Sequence, residues 1–119
     1  MATILVVDDE PDILLLHRVN LESHGHRVLL AADGMTALER IASDHPDAVV
    51  LDVMMPVLDG WGVLEELARA PAAPPVIVVS AKSAPADIER ARELGAIDFL
   101  PKPFDADELA RRVQRLLPS

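Results

Sequence analysis

The chain of 119 residues contains no cysteine, few basic residues and no long apolar run. Without cysteine, disulfides, thiolate catalysis and cysteine-ligated zinc or iron–sulfur sites are excluded. Only 11 Lys and Arg residues stand against 20 Asp and Glu, and the formal net charge of −9 opposes binding to nucleic-acid phosphates. No apolar stretch approaches the roughly 18 residues of a membrane span, and the start lacks a basic signal region. The sequence therefore predicts a soluble, cytoplasmic protein that binds neither nucleic acid directly nor a membrane.

Half of the residues are apolar, and no linker, low-complexity tract or internal repeat interrupts the chain. The length matches one domain of ordinary size, so a second independently folding unit of that size does not fit. We therefore expect a single domain with one core over residues 1–119.

Short apolar runs alternate with amphipathic stretches along the whole chain. The runs are mostly continuous in Val, Ile and Leu, which favours strands covered on both faces, as in parallel sheets. The predicted strands are residues 4–7, 28–31, 48–51, 76–79 and 97–100. The predicted helices are residues 11–24, 34–44, 59–70, 85–95 and 105–117. This fivefold alternation predicts parallel strands with right-handed crossovers, and hence a doubly wound α/β/α sandwich of three layers.

Polar residues follow four of the predicted strands. Asp8 and Asp9 follow the first strand, Asp52 the third, Ser80 the fourth and Lys102 the fifth. Because the carboxyl ends of parallel strands share one edge of a sheet, these side chains are expected to lie together. Three carboxylates in one place repel each other unless a cation neutralises them or a proton is held. Oxygen ligands without His or Cys favour Mg²⁺, with Mn²⁺ as the alternative.

This set of side chains suits phosphoryl transfer, in which a protein positions the reacting groups and neutralises charge on the phosphoryl oxygens. Asp52 is the expected nucleophile and would form an acyl phosphate. Lys102 and Ser80 would each bind one phosphoryl oxygen. Pro103 allows a cis bond that would turn the lysine inward.

Four segments resemble the bacterial response-regulator receiver domain, in order and over essentially the whole chain. They are VVDDEPD at 6–12, VVLDVMMPVLDG at 49–60, VVSAK at 78–82 and GAIDFLPKPF at 95–104. The resemblance implies a single-domain flavodoxin-like (βα)5 fold with strand order 2-1-3-4-5. It also implies a phosphorylation-dependent switch of a two-component system. With no effector domain expected in residues 1–119, the chain would be either a stand-alone receiver or a trimmed piece of a longer protein.

The resemblance implies a role for each residue of the site. Asp52 matches the phosphoacceptor, and Lys102 matches the lysine of the receiver pattern. Asp8 and Asp9 match the acidic pair that holds Mg²⁺ together with Asp52. The backbone carbonyl of Met54 is the further metal ligand that the resemblance implies.

The switch pair implied by the resemblance is Ser80 and Phe99. Phosphorylation adds about −2 charge at Asp52, so Ser80 would move toward the phosphoryl group and Phe99 would rotate inward. Receivers often have Tyr at this position, and because Phe99 lacks the hydroxyl, packing alone must favour its inward state. The fourth helix, fifth strand and fifth helix would then present a changed face to a downstream target or a second copy. The charged residues that could contact a partner on that face are Asp98, Arg111, Arg112 and Arg115. For the three arginines, a solvated helix surface without a partner is an equally good explanation.

The first predicted helix has an apolar turn over residues 13–16 that cannot be buried on all sides. In receivers this helix docks the histidine kinase or histidine phosphotransfer protein. Ile13 and Leu16 are therefore candidates for partner contacts, and an apolar surface without a partner is the alternative.

The four histidines form no metal-ligand pattern. His24 and His26 flank a glycine with no further ligand nearby in sequence, so we interpret them as solvated loop residues. The same interpretation applies to His17 and His45. Trp61, at the start of the third predicted helix, is interpreted as a packing residue.

Two other functions share parts of this pattern. Haloacid-dehalogenase-like phosphatases also use an aspartyl nucleophile with Mg²⁺, but they need a second Asp two residues later, where this chain has Met54. A degenerate receiver would serve only as an interaction module, yet the acidic pair, the acceptor, the hydroxyl and the lysine are all present here. We therefore expect no multiple-turnover enzyme, only self-phosphotransfer and slow autodephosphorylation.

Overall fold

The computed structural model describes residues 2–55, 58–70 and 72–117. The strands in these residues are Thr3–Val7 (β1), Arg27–Ala31 (β2), Ala48–Asp52 (β3), Val76–Ser80 (β4) and Asp98–Pro101 (β5). The helices are Pro11–Ser23 (α1), Gly34–Asp44 (α2), Gly60–Ala68 (α3), Pro85–Glu93 (α4) and Ala106–Leu116 (α5). The predicted alternation is confirmed, and no predicted boundary differs from the observed one by more than two residues.

The strands form one parallel sheet in the order β2-β1-β3-β4-β5. In register, Val7 lies opposite Leu51, and Ser80 lies opposite Pro101. The flavodoxin-like strand order is therefore confirmed. Because all the pairs are parallel, the carboxyl ends of β1, β3, β4 and β5 meet at one edge of the sheet.

Two apolar clusters cover the two faces of the sheet. Alternate residues of β1 enter different clusters, with Leu5 and Val7 in one and Ile4 and Val6 in the other. This alternation follows from the period of two along a strand. Helices α2, α3 and α4 pack on the first face, and α1 and α5 pack on the second, so the three predicted layers are confirmed. Trp61 of α3 is buried in the first cluster, as the sequence predicts.

Proline and glycine residues mark the boundaries of two helices. Pro11 and Pro85 are the first residues of α1 and α4, because a residue without a backbone N–H loses nothing at that position. Gly25 and Gly95 follow the ends of the same two helices with φ of 88° and 103°, a region that favours glycine. No helix in the described part of the chain is long and apolar enough to cross a bilayer.

Gly60 places the start of α3 against the end of β3. Its backbone N–H donates to the Val53 carbonyl at 3.1 Å. A Cβ atom at this position would lie 2.6 Å from the Asp52 carbonyl oxygen and 2.9 Å from Val53 Cγ1. The absence of a side chain therefore allows α3 to begin directly beside the loop that follows Asp52.

Candidate functional site

The polar side chains predicted to gather at the sheet edge are positioned by the ends of four strands. Asp52 and Ser80 are the last residues of β3 and β4, while Asp8 and Lys102 directly follow β1 and β5. Asp8, Asp52 and Ser80 are all buried, with exposed fractions of 1%, 5% and 0%. Buried polar groups of this kind need partners, and the neighbouring strand ends supply them.

Lys102 connects the ends of β1 and β3. Its Nζ lies 3.4 Å from Asp8 Oδ2 and 3.3 Å from Asp52 Oδ2. The peptide bond between Lys102 and Pro103 is cis, which the sequence allowed. The structure thus brings the predicted acceptor, one predicted metal ligand and the predicted lysine into direct contact.

Burial and charge act in opposite directions on these groups. Burial raises the pKa of Asp52, although the Met54 N–H and the Lys102 ammonium both act to lower it. Burial on its own lowers the pKa of Lys102, but the carboxylates of Asp52 and Asp8 outweigh it and raise that pKa. Lys102 therefore stays protonated between two carboxylates, where it offsets part of their repulsion.

Three side-chain oxygens at this edge share one local geometry. Each accepts a hydrogen bond from the backbone N–H two residues further along, which is a common way for Asp and Ser side chains to fix a turn. This orientation keeps the oxygens at the edge of the sheet. The bonds run from Glu10 to Asp8 Oδ1, from Met54 to Asp52 Oδ1 and from Lys82 to Ser80 Oγ, all at 3.0 Å.

An acidic cluster lies at the end of β1. Carboxylate oxygens of Asp8, Asp9 and Glu10 lie within 4.8 Å of one another, with Asp8 buried and the other two exposed. Glu10 is not among the ligands predicted from the sequence. Its position directly after Asp8 and Asp9 is the feature of the sequence that could have indicated it. Asp52 is not a member of this cluster and reaches Asp8 through their shared contact with Lys102. Oxygen donors of this kind fit a hard divalent cation, since such ions prefer carboxylates to nitrogen or sulfur.

The two predicted switch residues lie on neighbouring strands. Ser80 ends β4 and is fully buried, whereas Phe99 lies in β5, opposite Val78, and is half-buried. The ring of Phe99 packs against the first apolar cluster. Phe99 also lines a cavity of about 190 Å³ together with Ile88 of α4.

The predicted partner contacts on α1 border an apolar groove. Leu16 is 59% exposed, and Ile13 is half-buried. With Phe104, which follows β5, they line a groove of about 420 Å³ that also reaches Lys102. The prediction that part of this turn is exposed is confirmed by Leu16 and by Leu15, also 59% exposed.

The predicted charges on the face of α4, β5 and α5 are mostly engaged within the chain. Arg112 Nη1 donates to Asp98 Oδ1 at 2.8 Å, and Arg112 Nε donates to Glu108 Oε1 at 3.0 Å. Arg111 pairs with the same glutamate at 2.5 Å. Arg115 is exposed near the end of α5.

The interpretation of His17 as solvated is wrong. The residue is buried on α1, and its ring stacks on Phe104 at 5.8 Å between centroids with an interplanar angle of 16°. Its Nε2 is buried without a hydrogen-bond partner among the described residues, and burial lowers the pKa of the ring. His26 is also half-buried, and burial lowers its pKa, whereas His24 and His45 are exposed as predicted.

Comparison with known proteins identifies the class to which this fold and site belong. The family model described as the response regulator receiver domain matches residues 4–114. The chain is therefore a member of the response-regulator receiver family, the signalling domains of two-component systems.

Individual relatives agree with this assignment. The response regulator MprA of Mycobacterium ulcerans (strain Agy99) is 46% identical over 114 residues, which cover 96% of this chain and 49% of that protein. The MprA of Mycobacterium avium (strain 104) is 45% identical over 114 residues, covering 96% of this chain and 50% of the relative. The chain thus spans about half the length of these curated relatives.

Solved structures show the same likeness. The receiver domain of the Francisella response regulator 1452 superposes with a TM-score of 0.93 at 35% identity, covering 98% of this chain and 96% of that one. The BeF3-activated receiver domain of DrrB superposes with a TM-score of 0.87 at 30% identity, covering 98% and 97%.

Proposed function

We propose that this chain is a phosphorylation-dependent switch in which Asp52 accepts a phosphoryl group from a histidine kinase or a histidine phosphotransfer protein. The observation that supports this most strongly is the position of Lys102 Nζ, within 3.4 Å of both Asp8 and Asp52. A buried carboxylate beside a fixed ammonium is a nucleophile with a ready partner for the incoming phosphoryl oxygens.

The transfer begins when a carboxylate oxygen of Asp52 attacks the phosphorus of a phosphohistidine in line. The new O–P bond forms as the P–N bond breaks, and the electron pair remains on the imidazole nitrogen of the donor. Lys102 and the Ser80 hydroxyl each bind one phosphoryl oxygen as charge moves onto the acceptor. The Met54 N–H, 3.0 Å from Asp52 Oδ1, holds the carboxylate in place during the attack.

A divalent cation belongs to this proposal because the acidic cluster offers only oxygen donors. Asp8 and Asp9 would hold Mg²⁺, or Mn²⁺, together with Asp52 and the backbone carbonyl of Met54. When bound, the ion supplies positive charge that neutralises the carboxylates and the phosphoryl oxygens. Glu10 lies close enough to Asp8 and Asp9 to contribute, directly or through water.

Multiple-turnover hydrolysis of a separate phosphoester is not expected from this site. The position two residues after Asp52 is Met54, which cannot act as a general acid or base. Incubation with a generic aryl phosphate should therefore give at most a stoichiometric phosphoprotein. Sustained release of the aryl alcohol would instead favour a phosphatase of the haloacid-dehalogenase type.

Phosphorylation would alter the face formed by α4, β5 and α5. Ser80 would move toward the phosphoryl group, and Phe99 would turn into the space next to it. Because Arg112 bonds the Phe99 carbonyl at 3.4 Å as well as Asp98, movement of β5 would also disturb this ion pair. The changed face would then bind a downstream target or a second copy of the chain.

The phosphodonor protein would dock on the groove between α1 and the segment after β5. This groove reaches Lys102, so a helix lying in it would bring a donor histidine close to Asp52. Ile13 and Leu16 supply apolar contact area there. Exposed apolar surface beside a polar site is the usual feature of such an interface.

The switch can be tested by recording amide chemical shifts before and after addition of beryllofluoride and Mg²⁺ as a phosphoryl analogue. We expect changes at Asp52, Met54, Ser80 and Lys82 and also at Phe99 and Arg112. Changes confined to the loops around Asp52 would mean that the site binds the analogue without switching. A chain that binds no analogue would favour the alternative of a degenerate receiver acting only as an interaction module.

A further inference from the structure

A second cleft opens beside the loop that carries the phosphoacceptor. It has a volume of about 530 Å³ and is separate from the groove on α1. The residues that line the cleft include Asp9, Met54, Asp59, Trp61, Lys82 and Arg90.

Arg90 is held in this cleft by an aromatic ring. Its Cζ lies 4.4 Å from the centroid of the Trp61 ring, within the range of a cation–π contact. Trp61 is 6% exposed and belongs to the first apolar cluster, so the ring is a rigid support. The contact fixes a guanidinium on α4 against the beginning of α3.

The guanidinium of Arg90 has no acidic partner within 4.0 Å in residues 2–55, 58–70 and 72–117. Arg92 on the same helix differs in this respect, because it pairs with Glu89 at 3.0 Å. The other cation of the cleft, Lys82, lies 3.7 Å from Asp87. Arg90 therefore retains its capacity to bind an anion, since cation–π stacking leaves the N–H groups of a guanidinium available.

In-line attack determines where an anion would form. The leaving group must depart on the side of the phosphorus opposite Asp52. The cleft borders this site, because Met54, whose N–H donates to Asp52 Oδ1, is one of its lining residues. A small acyl phosphate such as acetyl phosphate reacts by forming the Asp52 O–P bond and breaking the bond between phosphorus and the bridging oxygen. The electron pair stays on that oxygen, and acetate departs as an anion without taking up a proton.

We propose that Arg90, supported by Trp61, binds the departing carboxylate of small acyl phosphates and so favours them as phosphodonors. The proposal rests on the proposed role of Asp52 as acceptor. A guanidinium matches a carboxylate in shape and charge, and it would stabilise negative charge that develops only as the bond breaks.

A donor with a neutral leaving group provides the contrast. Phosphoramidate carries its protons on nitrogen, so cleavage of its P–N bond releases neutral ammonia and forms no anion. A cation at Arg90 gives this reaction no advantage. The two donors therefore deliver the same phosphoryl group to the same acceptor and differ only in what reaches the cleft.

The test measures initial phosphorylation rates with both donors for the wild type, Arg90→Gln and Arg92→Gln, with Mg²⁺ present. Loss of a charged hydrogen bond in the transition state predicts a rate roughly tenfold lower with acetyl phosphate for Arg90→Gln. The phosphoramidate rate should stay within about twofold, because no charged contact is lost. Arg92→Gln removes the same charge from the same helix outside the cleft and should leave both rates near those of the wild type.

Equal slowing with both donors, or no slowing with either, would overturn the role of Arg90. If Arg92→Gln also slowed the reaction with acetyl phosphate but not with phosphoramidate, the effect would belong to the net charge of the helix, and the role of Arg90 would be overturned. If the wild type takes up no phosphoryl group from either donor, the proposed function of Asp52 fails, and the role of Arg90 fails with it.

A binding measurement separates this role from an effect on folding or chemistry. Trp61 is the single tryptophan of the chain, so the tryptophan emission reports on the surroundings of this ring, which include the Arg90 contact. In an Asp52→Asn background, which lacks the nucleophile, acetate, the carboxylate that departs from acetyl phosphate, should cause a saturable change in Trp61 emission. Adding Arg90→Gln should abolish that change, and a saturable change of equal size in the double variant would contradict the proposal.

Discussion

The residues of the site obtain their positions from short-range contacts that follow the strand ends. Asp8, Asp52 and Ser80 each accept an N–H bond from two residues further on, and Lys102 then joins the two carboxylates. The sequence predicts this group because each residue lies at or just after the end of a buried apolar run. Its detailed contacts depend on side-chain rotamers, which no sequence pattern specifies.

Met54 is expected to slow loss of the phosphoryl group. It is 59% exposed at the mouth of the site, and an apolar side chain there hinders the attacking water. A Met54→Asn variant should therefore lose its phosphoryl group faster than the wild type after donor removal. Decay of the phosphoprotein can be followed by intact mass, and equal decay of the two proteins would contradict this role.

His17 should make stability depend on pH. Burial lowers its pKa below the ordinary value of 6.5, so the unfolded chain takes up a proton before the folded chain does. Between 6.5 and the lower folded-state pKa, the free energy of unfolding should fall with falling pH, by up to about 1.4 kcal/mol per unit. Above 6.5 both states are neutral, and this contribution to the pH dependence vanishes.

The measurement compares urea unfolding of the wild type and His17→Phe at about pH 7.5 and about pH 5.5. The variant keeps a ring against Phe104 and removes the titrating group, so its stability relative to the wild type should rise at the lower pH. A difference that is the same at both values would show that His17 does not contribute.

The error about His17 has a physical cause. Its ring stacks on Phe104, which is distant in sequence and reaches α1 because the segment between β5 and α5 leads into a helix that packs beside α1. Helical spacing along α1 describes one face of one helix and carries no information about the residue that covers it. The exposure of Leu16, by contrast, follows from helix geometry alone, because four consecutive apolar residues of a helix cannot all face one core.

At the scale of secondary structure, the start of α3 lies directly against Asp52 and Val53. Gly60 allows the helix to approach β3, and Asp59 caps it by accepting the Gly62 N–H at 3.0 Å. The sequence predicts a helix here and places its beginning one residue early, since the capping residue lies outside the helix. It does not reveal the close approach, which depends on how α3 packs.

Gly60→Ala should destabilise the protein by about 1–3 kcal/mol, because its Cβ would press on backbone and on Val53. Gly62→Ala is the matched control on the same helix, since its Cβ would press on the movable side chain of Leu58 and meet Asp59 Oδ1 at an ordinary 3.7 Å. We expect a smaller loss there, partly offset by the better helix propensity of alanine. Urea unfolding of both variants checks this, and equal losses would argue against a special role for Gly60.

For the whole molecule, the alternation of strands and helices predicts the layers but not the order of the strands. Periodicity describes each element separately, whereas order depends on which crossovers pack together. The order 2-1-3-4-5 came only from the resemblance to receivers, and the structure confirms it. Once that order is known, the residues that follow β1, β3 and β5 are expected at one edge, because the carboxyl ends of parallel strands lie on the same side of a sheet.

The concentration of acids at this edge should make the folded protein more stable in Mg²⁺. An ion that binds the folded state alone adds about 1.4 kcal/mol when its free concentration is about ten times Kd. The unfolding midpoint should therefore rise with MgCl₂, and Asp9→Asn should reduce the rise. An equal rise in NaCl of matched ionic strength would show that screening of the net charge of −9, and not binding of Mg²⁺, causes the stabilisation.

Asp52 is proposed to accept a phosphoryl group at the sheet edge where Asp8 and Lys102 meet. The most direct test is the intact mass of the wild type and of Asp52→Asn after incubation with acetyl phosphate and Mg²⁺. We expect a gain of one phosphoryl group in the wild type and none in the variant. An equal gain in both proteins would place the acceptor at a residue other than Asp52.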